Sequence, residues 1–540
     1  MWRWIAAAVF VTGSLPAFGQ TDKLTPQQWR EDLKVMAETM PVRHRNLYHT
    51  MTREQFQAAI AALDAKLDSL PRHQVIVEMA RIVGMVEDGH TNIAPTRDPK
   101  IGFRAFPIGL YFFDDGLYVR TAHEAHRDLV GAKVIGFGDR TVAQAYAAVR
   151  QIVGRDNEQN ALFFAPHLLA MPEVLHAFGL SDSPDRARLV IERDGKRSTV
   201  ELSNPQPATM MPPDTDTSFM PRPGWVDARA TTPLWLKDAD SKFRMEYLGA
   251  YKLLYVQFNQ VGNEKEESLA QFAARIGQAA ASQPVEKIVL DLRLNRGGNG
   301  MLVPPLIAAL LRATPPEAKR QLFAITGRST FSAAQFLVND LEKYTEAVLV
   351  GEPTGGKANS HGDSRRITLP NSGITVRVST IWWQEDERDR RPWSAPAVAA
   401  PLTFDAYRRG EDPALAAVLA YRPATPLGDL LLQAPATPDG QRKAYADWRA
   451  QPRNRYADVQ MEFYRAGHAL LAKGQPAAAL ADFRLWAEGY PEASYAWDGI
   501  GAAQLALGER VQAEEAYRKA LALDRSSASA LAALEKLKQK

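Results

Sequence analysis

Three short stretches of this 540-residue chain carry residue types that could do acyl chemistry. The first is Thr330-Phe331-Ser332-Ala333-Ala334-Gln335, and the second is Gly351-Glu352-Pro353-Thr354-Gly355-Gly356-Lys357. Ser332 and Lys357 stand 25 residues apart, with one helix-like and one strand-like segment between them. A serine hydroxyl is a poor nucleophile until a base takes its proton. A lysine can serve as that base only where an apolar site favours its neutral form. The third stretch is Asp291-Leu292-Arg293-Leu294-Asn295-Arg296-Gly297-Gly298, where two glycines let backbone N–H groups approach a substrate closely. No Gly-Lys-Ser/Thr follows them, so the turn is not a phosphate loop.

Ser332 is predicted to follow a strand and open a helix, where free N–H groups and the helix dipole favour developing negative charge. The N–H of Ala333 is then the natural first oxyanion donor, and the glycine turn supplies the second. The sequence lacks a Gly-x-Ser-x-Gly elbow, which sets an α/β-hydrolase aside. A second base candidate is His90, in Glu87-Asp88-Gly89-His90-Thr91. A histidine at a domain junction is also a common structural hydrogen-bonding group. His44 and His49 are five apart without a carboxylate pattern, so no metal site is expected, and no cofactor. Asp291 and Arg293 read as structural partners at a sheet end.

Apolar residues recur at three and four in Leu33, Met36, Met40 and in Phe56, Ile60, Leu63, Leu67, so 21–98 is expected to be helical. Residues 103–204 break into short strand-like runs at turn pairs such as Asp115-Gly116 and Gly138-Asp139, which predicts a small β-rich module. Residues 205–245 are rich in Pro, Asp and Thr and read as a linker or extended loop. From 246 to 425 strands alternate with helices, the pattern of a mainly parallel, helix-covered α/β sheet. A hairpin is expected around Pro370-Asn371-Ser372-Gly373. In 455–540, Gly474, Ala479 and Phe483 recur 34 residues later as Gly508, Ala513 and Tyr517, the tetratricopeptide period. Such stacked helical hairpins present a surface for a protein partner.

Residues 1–20 read as a secretory signal: Arg3, an apolar run from Trp4 to Val11, then small residues Ala17 and Gly19 before Gln20. A secreted or periplasmic location follows, without an integral membrane domain once the signal is cleaved. The net charge of +3 on 24 % charged residues gives no footprint for nucleic acid. The absence of cysteine excludes disulfides, thiol catalysis and thiolate metal ligands.

Taken in order, DLRLNRGG, TFSAAQ and VGEPTGGK resemble the tail-specific, or C-terminal processing, serine peptidases. The likeness extends over 246–425, including Leu369-Pro370-Asn371-Ser372-Gly373 and Arg409-Gly410-Glu411-Asp412-Pro413. It implies a crotonase-like (ClpP/crotonase superfamily) catalytic core and a Ser–Lys dyad. Ser332 would be the nucleophile, Lys357 the base, and Gly298 and Ala333 the oxyanion donors. The implied activity is hydrolysis of a polypeptide substrate through an acyl-enzyme. The family's usual glutamate three residues after the serine is Gln335 here. The module at 103–204 is similar to a degenerate PDZ domain, through Gly131 to Asp139 (GAKVIGFGD). His90 sits where related tricorn-type proteases carry a catalytic histidine, so a Ser–His peptidase is one alternative. A catalytically silent peptide-binding or scaffolding protein is another.

Overall fold

The computed structural model describes residues 24–208, 218–387 and 389–538. The expected signal at 1–20 lies outside them. At the centre is a six-stranded sheet in the order Phe243–Leu248, Leu253–Phe258, Lys287–Asp291, Gln321–Thr326, Val348–Gly351, Val398–Ala399. The first pair is antiparallel and every later pair is parallel. Strand Leu253–Phe258 is buried at all six positions, as a strand covered on both faces must be.

Helices Leu269–Ser282, Pro304–Ala313 and Ala333–Tyr344 bury their apolar faces on one side of the sheet, around Phe272, Leu306, Leu310 and Leu337. Tyr255, Val289, Phe323 and Val350 point to the other side, against helix Pro413–Leu419. That helix is positioned by an ion network. Arg293 donates two 2.9 Å bonds to Asp412, the residue that caps the helix, and bonds Asp291 at 3.0 Å. Tyr255 Oη donates to Asp291 at 2.6 Å. The sheet-end role expected of Asp291 and Arg293 is therefore what they do, and the Arg-Gly-Glu-Asp-Pro motif supplies their partner.

The hairpin is longer than its sequence suggests, pairing Ser360–Thr368 with Thr375–Trp383. Its inner residues Ile367, Val376 and Val378 share a core with Met36, Met40, Ile82 and Val83 of the N-terminal helices. Buried Asp32 accepts from the N–H groups of Asn371 and Ser372 at its tip, at 2.8 and 2.9 Å. This docking carries the N-terminal Asp-Gly-His-Thr segment to the sheet.

The β-rich module is an antiparallel sheet of Ile108–Phe113, Gly116–His123, Lys133–Phe137, Ala187–Arg193 and Lys196–Leu202. The expectation of a linker over 205–245 needs correction within its described residues 218–245. Trp225–Asp227 pairs with Gly116–His123 as a further strand, and Phe219, Trp235 and Leu236 are buried with Phe113, Phe404 and Tyr407. Proline and threonine density masked these aromatic anchors, which join the module to the central sheet.

The C-terminal helices begin at Leu427–Gln433, earlier than the repeat pattern starts. They continue as Pro438–Arg449, Gln460–Ala472, Pro476–Gly489, Ser494–Ala506, Arg510–Leu523 and Ala528–Lys538. The period of 34 has a physical cause. Gly467 and Gly499 leave room for the ring of Phe483, where an added Cβ would lie 2.5 Å from ring carbons. Gly501 does the same for Tyr517 at 2.9 Å. Gly474 and Gly508 end their helices at φ +70° and +83°.

Candidate active site

Ser332 sits between strand Gln321–Thr326 and helix Ala333–Tyr344, at φ +56° and ψ −129°. A positive φ on a serine is strained and persists only where its surroundings fix it. They do so through three neighbours. The Phe331 N–H donates to Asn295 O at 3.2 Å. Thr330 Oγ1 donates to Leu292 O at 2.9 Å. Gly297, at φ +104°, is packed so closely that a Cβ there would be 2.7 Å from Ser332 Cβ and 2.8 Å from Ala333 N. Only glycine fits that position. The Gly297–Gly298 turn is anchored in turn by Asn295, whose Oδ1 accepts from Gly297 N and whose Nδ2 donates to Phe258 O, both at 2.9 Å.

Ser332 Oγ lies 3.0 Å from His90 Nε2. The imidazole stacks on Phe331 with ring centroids 4.6 Å apart. A Cβ on Gly89 would come within 2.6 Å of the Phe331 ring, so the Asp-Gly-His-Thr glycine sets the approach of the two segments. Asp88 is fully buried and organises the segment. It accepts from His90 N at 2.8 Å, from Thr91 Oγ1 at 2.6 Å, and faces His44 Nε2 at 3.0 Å. Burial alone would raise its carboxyl pKa. The bond from His44, the charge of His90, and the hydroxyls of Ser379 and Thr91 overcome that and hold it well below the usual carboxylate range.

Lys357 is half-buried. Among the hydrogen bonds of the described residues, none joins its ammonium to Ser332; its charge is felt instead at Asp156, His49 and His361. Of the two base candidates, the one in hydrogen-bond reach of the serine is therefore His90. Gln335 ties the serine helix to the loop at Ser394, its Nε2 donating to Ser394 Oγ at 3.0 Å and, one turn on in the same helix, to Asn339 Oδ1 at 2.9 Å. The N–H groups of Ala333 and Gly298 both flank the serine turn. Neither donates to a backbone carbonyl among the described residues, and Gly298 is exposed.

His44, Asp88 and His361 bring ligand-type atoms within 4.8 Å of one another, a group that no sequence spacing revealed. The chemistry of the donors does not suit a cation. His44 Nδ1 accepts the Asn46 N–H at 3.0 Å, so its Nε2 carries the proton that Asp88 accepts. It is therefore His44 that turns a cation away; burial, chiefly, lowers the His361 pKa to about 4, which leaves that ring neutral. In the β-rich module, the turn before its edge strand uses its own N–H groups: Phe106 donates to Ala170 O at 2.8 Å and Ile108 to Phe106 O at 2.7 Å.

No family model matches the sequence, and no curated protein matches it. Solved structures do resemble the fold. Mature CPAF complexed with lactacystin superposes with a TM-score of 0.50 at 14 % identity, covering 73 % of this chain and 97 % of that one. A CPAF mutant gives 0.50 at 13 % identity, covering 73 % and 96 %. The photosystem II D1 C-terminal processing protease aligns over 72 % of this chain and 99 % of its own at 14 % identity, with a TM-score of 0.32. At these identities the CPAF matches establish a shared mixed α/β fold. Among the described residues no helix is long and apolar enough to cross a membrane.

Proposed function

We propose that this chain is a serine peptidase acting on polypeptides, in which Ser332 is the nucleophile and His90 its general base. The observation that carries the reading is the 3.0 Å approach of His90 Nε2 to a serine hydroxyl held at a strained elbow on a helix N-terminus. Ser332 Oγ bonds to the scissile carbonyl carbon as its proton passes to His90 Nε2. The carbonyl oxygen takes the negative charge and lies against the N–H groups of Ala333 and Gly298. His90 then returns the proton to the departing amine nitrogen as the C–N bond breaks. Water, deprotonated by the same imidazole, hydrolyses the ester left on Ser332. No metal or other cofactor takes part in these steps.

A Ser332–Lys357 dyad is the second reading. Its support is the 25-residue spacing of the sequence motifs together with the placement of Lys357 close enough to act on Asp156, beside His90. In either case the fold matches to CPAF, and the crotonase-like and PDZ-like readings of the sequence, agree with a peptidase. A secretory signal would place the enzyme outside the cytoplasm. The helical array at the C-terminus, read as tetratricopeptide repeats, would recruit a protein partner. The test is labelling by a serine-reactive phosphonate. Wild type incorporates it and loses hydrolysis of an unfolded polypeptide; Ser332→Ala does neither. A wild type that is neither labelled nor hydrolytic would overturn the proposal in favour of a binding protein.

A further inference from the structure

A histidine can act as base on Ser332 only in the tautomer with its proton on Nδ1, and a buried Nδ1–H needs an acceptor. His90 Nδ1 is buried and has no hydrogen-bond partner among the described residues. Asp88, the adjacent carboxylate, is already occupied: Oδ1 accepts from His90 N, while Oδ2 serves His44 and Thr91. A second carboxylate, Asp156, is buried beside the same segment, and its Oδ2 is likewise without a partner among the described residues.

The loop that carries Asp156 is docked along the histidine segment residue by residue. Gly154 packs so closely that a Cβ there would be 2.4 Å from Thr91 O and 3.0 Å from Asp88 O. Arg155 pairs with Glu87. Asp156 Oδ1 accepts the N–H of Gly89, the residue before His90, at 2.8 Å. Asn157 holds the other side, donating to Thr354 O at 3.1 Å and Gly356 O at 3.2 Å while capping helix Glu158–Leu168. Asp156 is thus fixed by its first oxygen, with its second left over next to a histidine whose Nδ1 is left over.

We infer that Asp156 is a positioning residue for His90: its Oδ2 and His90 Nδ1, not hydrogen-bonded to each other in this structure, pair on a small rotation of the imidazole or the carboxylate, which holds the imidazole in the base tautomer. This rests on the reading of Ser332 and His90 given above. When His90 takes the serine proton, the carboxylate also balances the imidazolium charge. Burial and the charge of Asp88 raise the pKa of Asp156, and His90, the Gly89 N–H and Lys357 counter them. The charged groups around the imidazole are thus Asp88 and the Glu87–Arg155 pair, then Asp156 on its own loop, and Lys357 from the loop after the sheet.

The test uses the full chain with Asp156→Asn and Asp156→Glu, beside His90→Ala. In Asp156→Asn, kcat/KM is expected to fall by ~10²- to 10⁴-fold with KM little changed. The acidic limb of its pH profile should move to lower pH, because the imidazolium loses an opposite charge. Asp156→Glu, which keeps that charge, should recover part of the loss and the original limb. If Asp156→Asn matches wild type in rate and acidic limb while His90→Ala is inactive, the inference is refuted and the proposed function stands. If His90→Ala is itself active, the base assignment fails first. Should Asp156→Asn not fold, the wild-type spectrum decides: a strongly downfield imidazole proton that vanishes in His90→Ala supports the pairing, and its absence refutes it.

Discussion

Replacing Gly297 by alanine probes the elbow without touching a residue that carries chemistry. The new Cβ would meet Ser332 Cβ at 2.7 Å, Ala333 N at 2.8 Å and Phe331 O at 2.9 Å. All three belong to the turn itself, so no flexible side chain can swing away. The residue would also hold φ +104°, a conformation costing a non-glycine residue about 1–3 kcal/mol. Overpacking adds a cost of similar size, about 1–3 kcal/mol, so stability should drop by roughly 2–6 kcal/mol. Ordinary contact requires the serine to move by several tenths of an ångström, and a displacement approaching 1 Å costs on the order of 10²-fold in rate. Gly300→Ala is the control, because its Cβ would sit at an ordinary 3.7 Å from Ala333 Cβ. The assay is kcat/KM on an unfolded polypeptide, with thermal unfolding of both variants. A Gly297→Ala enzyme within threefold of wild type would refute the argument that the glycine turn fixes the nucleophile.

Asp412→Ala removes the bidentate partner of Arg293 and leaves Asp291 as its carboxylate, so it should destabilise the sheet domain by about 1.5–3 kcal/mol in denaturant titration. Gly89→Ala should lower hydrolysis more than stability, since its Cβ would strike the Phe331 ring at 2.6 Å on the face that orients His90; the two are separated by measuring kcat/KM and Tm on one preparation. In the C-terminal array, burial raises the Asp482 carboxyl to about 8, only partly countered by the Gly467 N–H. The folded array therefore holds a proton that the unfolded chain releases near its ordinary pKa. Its stability is complete at low pH and falls as pH rises from about 4 to about 8, so Asp482→Asn should flatten that slope in pH-dependent unfolding.

The sequence made the central sheet legible because each parallel strand is a continuous apolar run and each covering helix an amphipathic one. Ser332 and the glycine turn could be read for the same reason as the fold: TFSAAQ and NRGG are local, and their backbone demands are written in residue type. Both base candidates could be read from the sequence, but not which of them reaches the serine. His90 lies 242 residues before Ser332, and the contact exists only because the hairpin at 360–383 docks on the N-terminal helices. Asp156 carried no periodic or motif signal; it lies in a polar run of six, Arg155 to Asn160, between apolar segments. Within 205–245 the described residues 218–245 misled because prolines outweighed Phe219, Trp225 and Trp235 in the local pattern, whereas in three dimensions those aromatics pack and pair.

The most direct measurement is hydrolysis of one unfolded polypeptide by Ser332→Ala, His90→Ala and Lys357→Ala side by side. The serine and histidine variants should lose at least ~10²-fold while the lysine variant keeps most of its activity. A dead Lys357→Ala enzyme beside an active His90→Ala enzyme would contradict this and return the base to the lysine.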